Sequence, residues 1–143
     1  MTSELRVDNL KGSTTSGSIN VLGEGTSATT NLQQGLTKSW INHSEGTSIS
    51  DSFNCTSLTD HSTAYHSHSF VNDHANKNYV AGGSVIGDSS TQTSAYTYSF
   101  IGGGDSTSNS VHATGSIKYT CVHHAGSLND QQMVQVMTVG DLA

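Results

Sequence analysis

Short runs in which apolar and polar residues alternate, broken by Gly, Asn, Asp and Ser, recur along almost the whole chain. Leu5-Arg6-Val7-Asp8-Asn9-Leu10 is the first, and Ser18-Ile19-Asn20-Val21 follows a turn-rich stretch from Lys11 to Gly17. A period of two places alternate side chains on one face of a strand, so both runs read as short strands. Two such strands cannot fold alone, and residues 1–28 are expected to form an extended arm.

Between residues 29 and 41 the period changes. Leu32, Leu36 and Trp40 recur every four residues, with Gln33, Gln34 and Lys38 on the other side and Thr30 or Asn31 placed to cap. This predicts a short helix with a narrow apolar seam. The seam either packs on a sheet of the same chain or meets copies of itself around an axis, and Gly35 weakens the helix by about 1 kcal/mol against Ala. From residue 42 to 143 the pattern predicts strands at Ser48–Asn54, Ala64–Val71, Asn78–Val85, Ser94–Ile101, Ser110–His123 and Met133–Val139. The intervening breaks, among them Thr59–Ser62 and Gly102–Ser108, are rich in turn formers. Strands at this spacing point to an all-β protein: an N-terminal extended arm, a short helix, then an antiparallel β-sandwich.

Composition sharpens this picture. The 143 residues suit one compact domain with an arm, yet only 32% are hydrophobic, while Ser and Thr number 24 and 18. That is a thin supply for the core of a monomer, so association between copies is expected to provide the missing burial. A net charge of −6 with five Lys plus Arg excludes nucleic-acid binding and polybasic membrane contact. Apolar runs of a few residues, such as Phe70-Val71, exclude a membrane-spanning helix, and no cleaved secretory signal is expected near Met1.

Candidate chemistry is sparse. Cys55 and Cys121 read best as buried thiols acting as small hydrophobes, with pairing left as the alternative. His66-x-His68 on a strand would present two imidazoles to one face, the sharpest metal-like signal. No carboxylate or Cys completes the set in one chain, so the expectation is a polar strand with no metal and no cofactor. His123 and His124 fall on opposite faces and cannot chelate together. Gly102-Gly103-Gly104-Asp105 reads as a long hairpin loop at a distal tip, a place where recognition residues concentrate. Asp51, Asp60, Asp73 and Asp88 are scattered, one Trp is present and no Gly-x-Ser-x-Gly elbow occurs, so an enzyme is not expected. Asn42-His43-Ser44 and Asn54-Cys55-Thr56 fit the glycosylation sequon, which chance produces often in so Ser/Thr-rich a chain.

Several segments, in order, carry a resemblance. Leu5-Arg6-Val7-Asp8-Asn9-Leu10-Lys11-Gly12 is similar to the opening of small bacteriophage tail-fibre-like proteins of the marine and cyanophage type. Leu32 to Trp40, with its Lys-x-Trp element, the strand from Ile49 to Asp60 and the closing Val134-Gln135-Val136-Met137-Thr138-Val139-Gly140-Asp141 resemble later elements of that family. The chain departs from it at Tyr65-His66-Ser67-His68-Ser69-Phe70 and around Gly102–Gly104. The resemblance implies a virion structural protein assembled in the host cytoplasm, usually a homotrimer. It would have a seam at Leu32, Leu36 and Trp40 and a virion-docking arm using Leu5, Val7, Leu10, Ile19 and Val21. Its partners would be itself, other tail or capsid proteins and, for host adsorption, a surface glycan or protein. A head fibre or capsid decoration protein and a free carbohydrate-binding β-sandwich are the rival expectations.

Overall fold

The computed structural model describes residues 4–13, 19–22, 29–44, 46–86, 98–101, 111–123, 128 and 130–142. The chain divides into two compact units, Met1–Leu36 and Thr37–Ala143.

In the first unit, β1 (Asn20–Leu22) pairs antiparallel with β2 (Thr29–Asn31), and a single turn of helix, α1 (Leu32–Gly35), follows. The Asn31 side chain caps α1 by accepting from the Gln34 N–H at 3.1 Å. Leu32 N–H donates to the Ile19 carbonyl at 2.8 Å, tying the turn back to β1. Leu5–Leu10, expected as a strand, carries none of the strand pairing. No described residue of this unit is buried.

The helix expected over residues 29–41 is thus corrected to four residues, and Trp40 lies on a strand. Leu32, Leu36 and Trp40 do not share one helical face. From Lys38 onward the period-four reading competes with a period-two pattern, Ser39, Ile41 and His43 inward against Trp40 and Asn42 outward. Pairing with strands on both sides settles the contest for the strand.

The second unit is all-β. One four-stranded antiparallel sheet has the order β4-β3-β10-β7, with β3 (Thr37–His43), β4 (Ile49–Phe53), β7 (Val80–Ile86) and β10 (Met133–Val139). The other has the order β5-β6-β9-β8, with β5 (Cys55–Ser62), β6 (Tyr65–Phe70), β8 (Tyr98–Ile101) and β9 (Ser116–His123). The break expected at Thr59–Ser62 is strand, and the turn falls at Thr63-Ala64, where Ala64 takes φ of 63°. Ala64 N–H donates to Asp130 Oδ1 at 2.6 Å, fixing that tip.

Asn54 carries the chain from one sheet to the other with φ of 55°, a left-handed conformation that Asn tolerates better than most residues. Its side chain makes the junction rigid: Nδ2 donates to the carbonyls of Lys38 at 2.9 Å and Asn72 at 3.0 Å, while Oδ1 accepts from Asn72 N–H at 2.7 Å. The amide of one sequon is therefore occupied within the protein.

Ile41, Val134 and Val136 of the first sheet and Phe70, Ile117, Tyr119 and Cys121 of the second join Ala64 and Tyr79 in one buried apolar cluster. Cys121 is buried and Cys55 partly buried, both as free thiols. Burial pushes the Cys121 thiol up to about 11, leaving it protonated and inert near neutral pH.

Candidate functional site

Two regions of the second unit concentrate polar chemistry, one in its core and one on its surface. His66 and His68 share one face of β6, as their spacing predicts; that face is the inner one, so in place of an exposed polar strand the two imidazoles are 1% exposed in the core. His43, from β3 in the other sheet, meets them: its ring centroid lies 5.0 Å from that of His66. Sequence reasoning missed His43, although it continues the inward set of Ser39 and Ile41 on its strand. Tyr119 stands against all three, with centroid distances of 5.9 Å to His43, 6.2 Å to His66 and 5.7 Å to His68.

The hydrogen bonds define the state of His43. Its Nδ1 lies 2.7 Å from the Ser44 carbonyl, which can only accept, so Nδ1 carries the proton. Nε2 of the neutral ring then accepts from the Tyr119 hydroxyl at 2.8 Å. Burial pushes His43 and His68 down to about 4 from an ordinary 6.5, and His66 is lowered as well, with Asp60 acting against the shift. Neither ring nitrogen of His66 or His68 has a hydrogen-bond partner, although His66 Nε2 comes within 3.9 Å of Asp60 Oδ1. No group of three or more His, Cys, Asp or Glu among the described residues is arranged to hold a metal ion.

A fourth buried imidazole, His74, is separate from these. It stacks on Tyr79 at 4.0 Å, donates from Nδ1 to the Asp141 carbonyl at 3.3 Å and accepts at Nε2 from Thr138 Oγ1 at 3.0 Å. The Ser39 and Thr138 hydroxyls, 2.7 Å apart, extend this network under β3 and β10.

On the surface, the outer face of the β4-β3-β10-β7 sheet is apolar in one cross-strand row. The register places Phe53 opposite Trp40, Trp40 opposite Met137 and Met137 opposite Gly82. Phe53 and Met137 are half exposed, and Val80 and Ile86 on β7 are exposed as well. The next row is polar: Asp51, Asn42, Gln135 and Ser84 in register, with Ser84 Oγ donating to Gln135 Oε1 at 2.7 Å. Gly82, opposite Met137, carries no side chain on this face, and a groove of about 450 Å³ opens there between Trp40, Met137, Asn42 and Gln135.

The remaining sequence-predicted positions divide. Leu5, Val7, Leu10 and Val21 are exposed, at 77, 56, 57 and 52%, while Ile19 is half-buried. Leu36 is 51% exposed in the first unit, and Trp40 is 37% exposed on the face of the second. Gly102, Gly103, Gly104 and Asp105 lie outside the described residues, as do Asp88 and His124. No protein-family model, curated protein or solved structure matches this chain.

Proposed function

We propose that the chain is a structural protein of a phage particle: a homotrimeric, tail-fibre-like appendage whose arm docks on the virion and whose β-sandwich projects from it. The observation that carries this reading is the arm. Leu5, Val7, Leu10 and Val21 stand in water in a unit with no buried residue among those described. Burying an aliphatic side chain of this size against a partner contributes about 1.5–3 kcal/mol, so such a segment gains its stability from what it binds. The sandwich is supported by a buried cluster drawn from both sheets. The trimer and the phage setting are supported by the resemblance in Leu5–Gly12, Leu32–Trp40 and Val134–Asp141 together with the thin core.

Light scattering during size exclusion tests it on the full chain, with three times the 15.0 kDa mass expected. The triple variant Leu5→Ser, Val7→Ser and Leu10→Ser should keep that mass and a folded second unit but fail to enter particles. A monomeric chain, or a variant that incorporates normally, overturns the reading. Antibody labelling of particles separates a tail position from a head fibre or decoration protein.

The groove favours a second reading, a carbohydrate-binding face. Trp40 offers a flat ring for sugar C–H groups, Asn42, Gln135 and Ser84 offer hydrogen bonds, and the lining carries no charge. Trp40 is the chain's one tryptophan, so its fluorescence reports directly on the groove. Titration with neutral oligosaccharides should shift that emission, and no response across a broad panel removes this reading.

A further inference from the structure

We propose that His43, His66 and His68, with the Tyr119–His43 hydrogen bond that joins the two sheets, form an acid-sensitive latch. Near neutral pH it holds β4-β3-β10-β7 against β5-β6-β9-β8, and taking up protons releases them. The inference rests on the core geometry alone and stands whatever the chain assembles with.

Three features make the cluster responsive. First, the Tyr119–His43 bond uses the Nε2 lone pair, because Nδ1 already donates to the Ser44 carbonyl. A proton arriving at Nε2 takes that lone pair, and the Tyr119 hydroxyl must turn its hydrogen elsewhere inside a fully buried core. Second, the imidazoles lie close enough for like charges to repel strongly, with His43 and His66 centroids 5.0 Å apart and His68 in the same group around Tyr119. Third, no ring nitrogen of His66 or His68 makes a hydrogen bond, and only His66 has a carboxylate within 4 Å, so a proton on His68 would sit in the core without a polar contact.

The groups facing the cluster define where the first proton goes. From β5, Asp60 approaches His66 at 3.9 Å, with His61 on the same strand contributing positive charge when protonated. Asp130, held by Ala64 N–H, also favours a charged His66. From β9, Tyr119 and Cys121 stay neutral, their protons held by burial, and Cys55 of β5 is shifted the same way. The charges acting on His43 and His68 are those of other imidazoles, His66 on His43 and His43 on His68, and both oppose protonation. His66, beside two carboxylates, therefore takes the first proton, and its charge then opposes the next at His43. The sheets part when separation returns the imidazoles to water.

The full chain is titrated downward from neutral pH while near-ultraviolet circular dichroism reports core packing and histidine Cε1–H resonances report each imidazole. Packing should be lost cooperatively and reversibly between the ordinary histidine range and about pH 4, with uptake of more than one proton across the transition. His68→Leu should lower the midpoint and make the transition less steep, whereas His112→Gln, outside the cluster and stacked on Tyr79 at 4.5 Å, should leave the steepness unchanged. The wild-type resonances keep the test decisive if His68→Leu fails to fold. Three imidazoles titrating at ordinary values with packing intact, or packing that survives below about pH 4, would overturn the latch.

Discussion

Replacing Tyr119 with Phe removes a single oxygen from the centre of the core, and the cost follows from what that oxygen holds. The ring is fully buried and its hydroxyl donates to His43 Nε2 at 2.8 Å. Phe preserves the ring against His43, His66 and His68, so the packing loss is a gap smaller than a water molecule. His43 bears the change: Nδ1 stays on the Ser44 carbonyl, while Nε2 becomes a buried acceptor with no donor. An acceptor stranded in this way costs about 1–3 kcal/mol, and about 2 kcal/mol is expected here. Tyr119→Ala would add a cavity and cost roughly 3–5 kcal/mol. Urea unfolding near neutral pH should show the Phe variant with a lower midpoint and an unchanged slope. A double-mutant cycle with His43→Leu isolates the pair and should return a coupling of about 1 kcal/mol or more. An unchanged midpoint, or a coupling of zero, refutes the role given to this bond.

Stability should fall as pH drops from about 6.5 to about 4, because burial holds His43 and His68 down at about 4 while the unfolded chain takes up protons at the ordinary value. At about 1.4 kcal/mol per unit, each imidazole accounts for on the order of 3 kcal/mol, all of it present above the window and lost across it, as denaturation at a series of pH values would measure. Gly140→Ala should cost about 1–3 kcal/mol in a thermal melt. The added Cβ would stand 2.7 Å from Tyr79 Cβ and 3.1 Å from its Cα, which is backbone and cannot swing aside. Asn54→Ala should lower stability by about 2–3 kcal/mol, since it loses the clamp on Lys38 and Asn72 and leaves Ala in a left-handed conformation. Gly82→Thr should leave stability within about 1 kcal/mol, because nothing lies within 4 Å of the new Cβ, yet it narrows the groove and should abolish any sugar-induced change in Trp40 emission.

The strands legible in the sequence are those with clean alternation and turn formers at both ends. Met133–Val139 is read to the residue, because Val134, Val136 and Thr138 face inward in unbroken alternation. Tyr65–Phe70 and Ile49–Phe53 fall within a residue or two of expectation. β3 was hidden by the chance period of four in Leu32, Leu36 and Trp40, which local reading cannot distinguish from a helix. The buried Ser39 and Lys38 added to the disguise, since polar residues do not advertise an inward face. At the candidate sites, the shared face of His66 and His68 needs only the period of a strand. The meeting with His43 needs the order of strands in two different sheets, and the groove needs the register that sets Gly82 across from Met137 and Trp40. Neither is written in any local window.

The place of β10 in its sheet has a consequence for how the molecule is made. It is the last strand in chain order, yet it sits between β3, the first strand of its unit, and β7. As the chain leaves the ribosome, β3 and β7 are complete while the slot between them is empty, and their unpaired edges wait for the last strand. A contact between such distant parts of the sequence forms slowly. A chain broken before Met133 keeps the β3–β4 hairpin, every strand of the β5-β6-β9-β8 sheet and most of its core residues, but has nothing to join β7 to β3. Interrupted synthesis then leaves sticky fragments instead of miniature versions of the domain, and only chains read through to Val139 close the sheet.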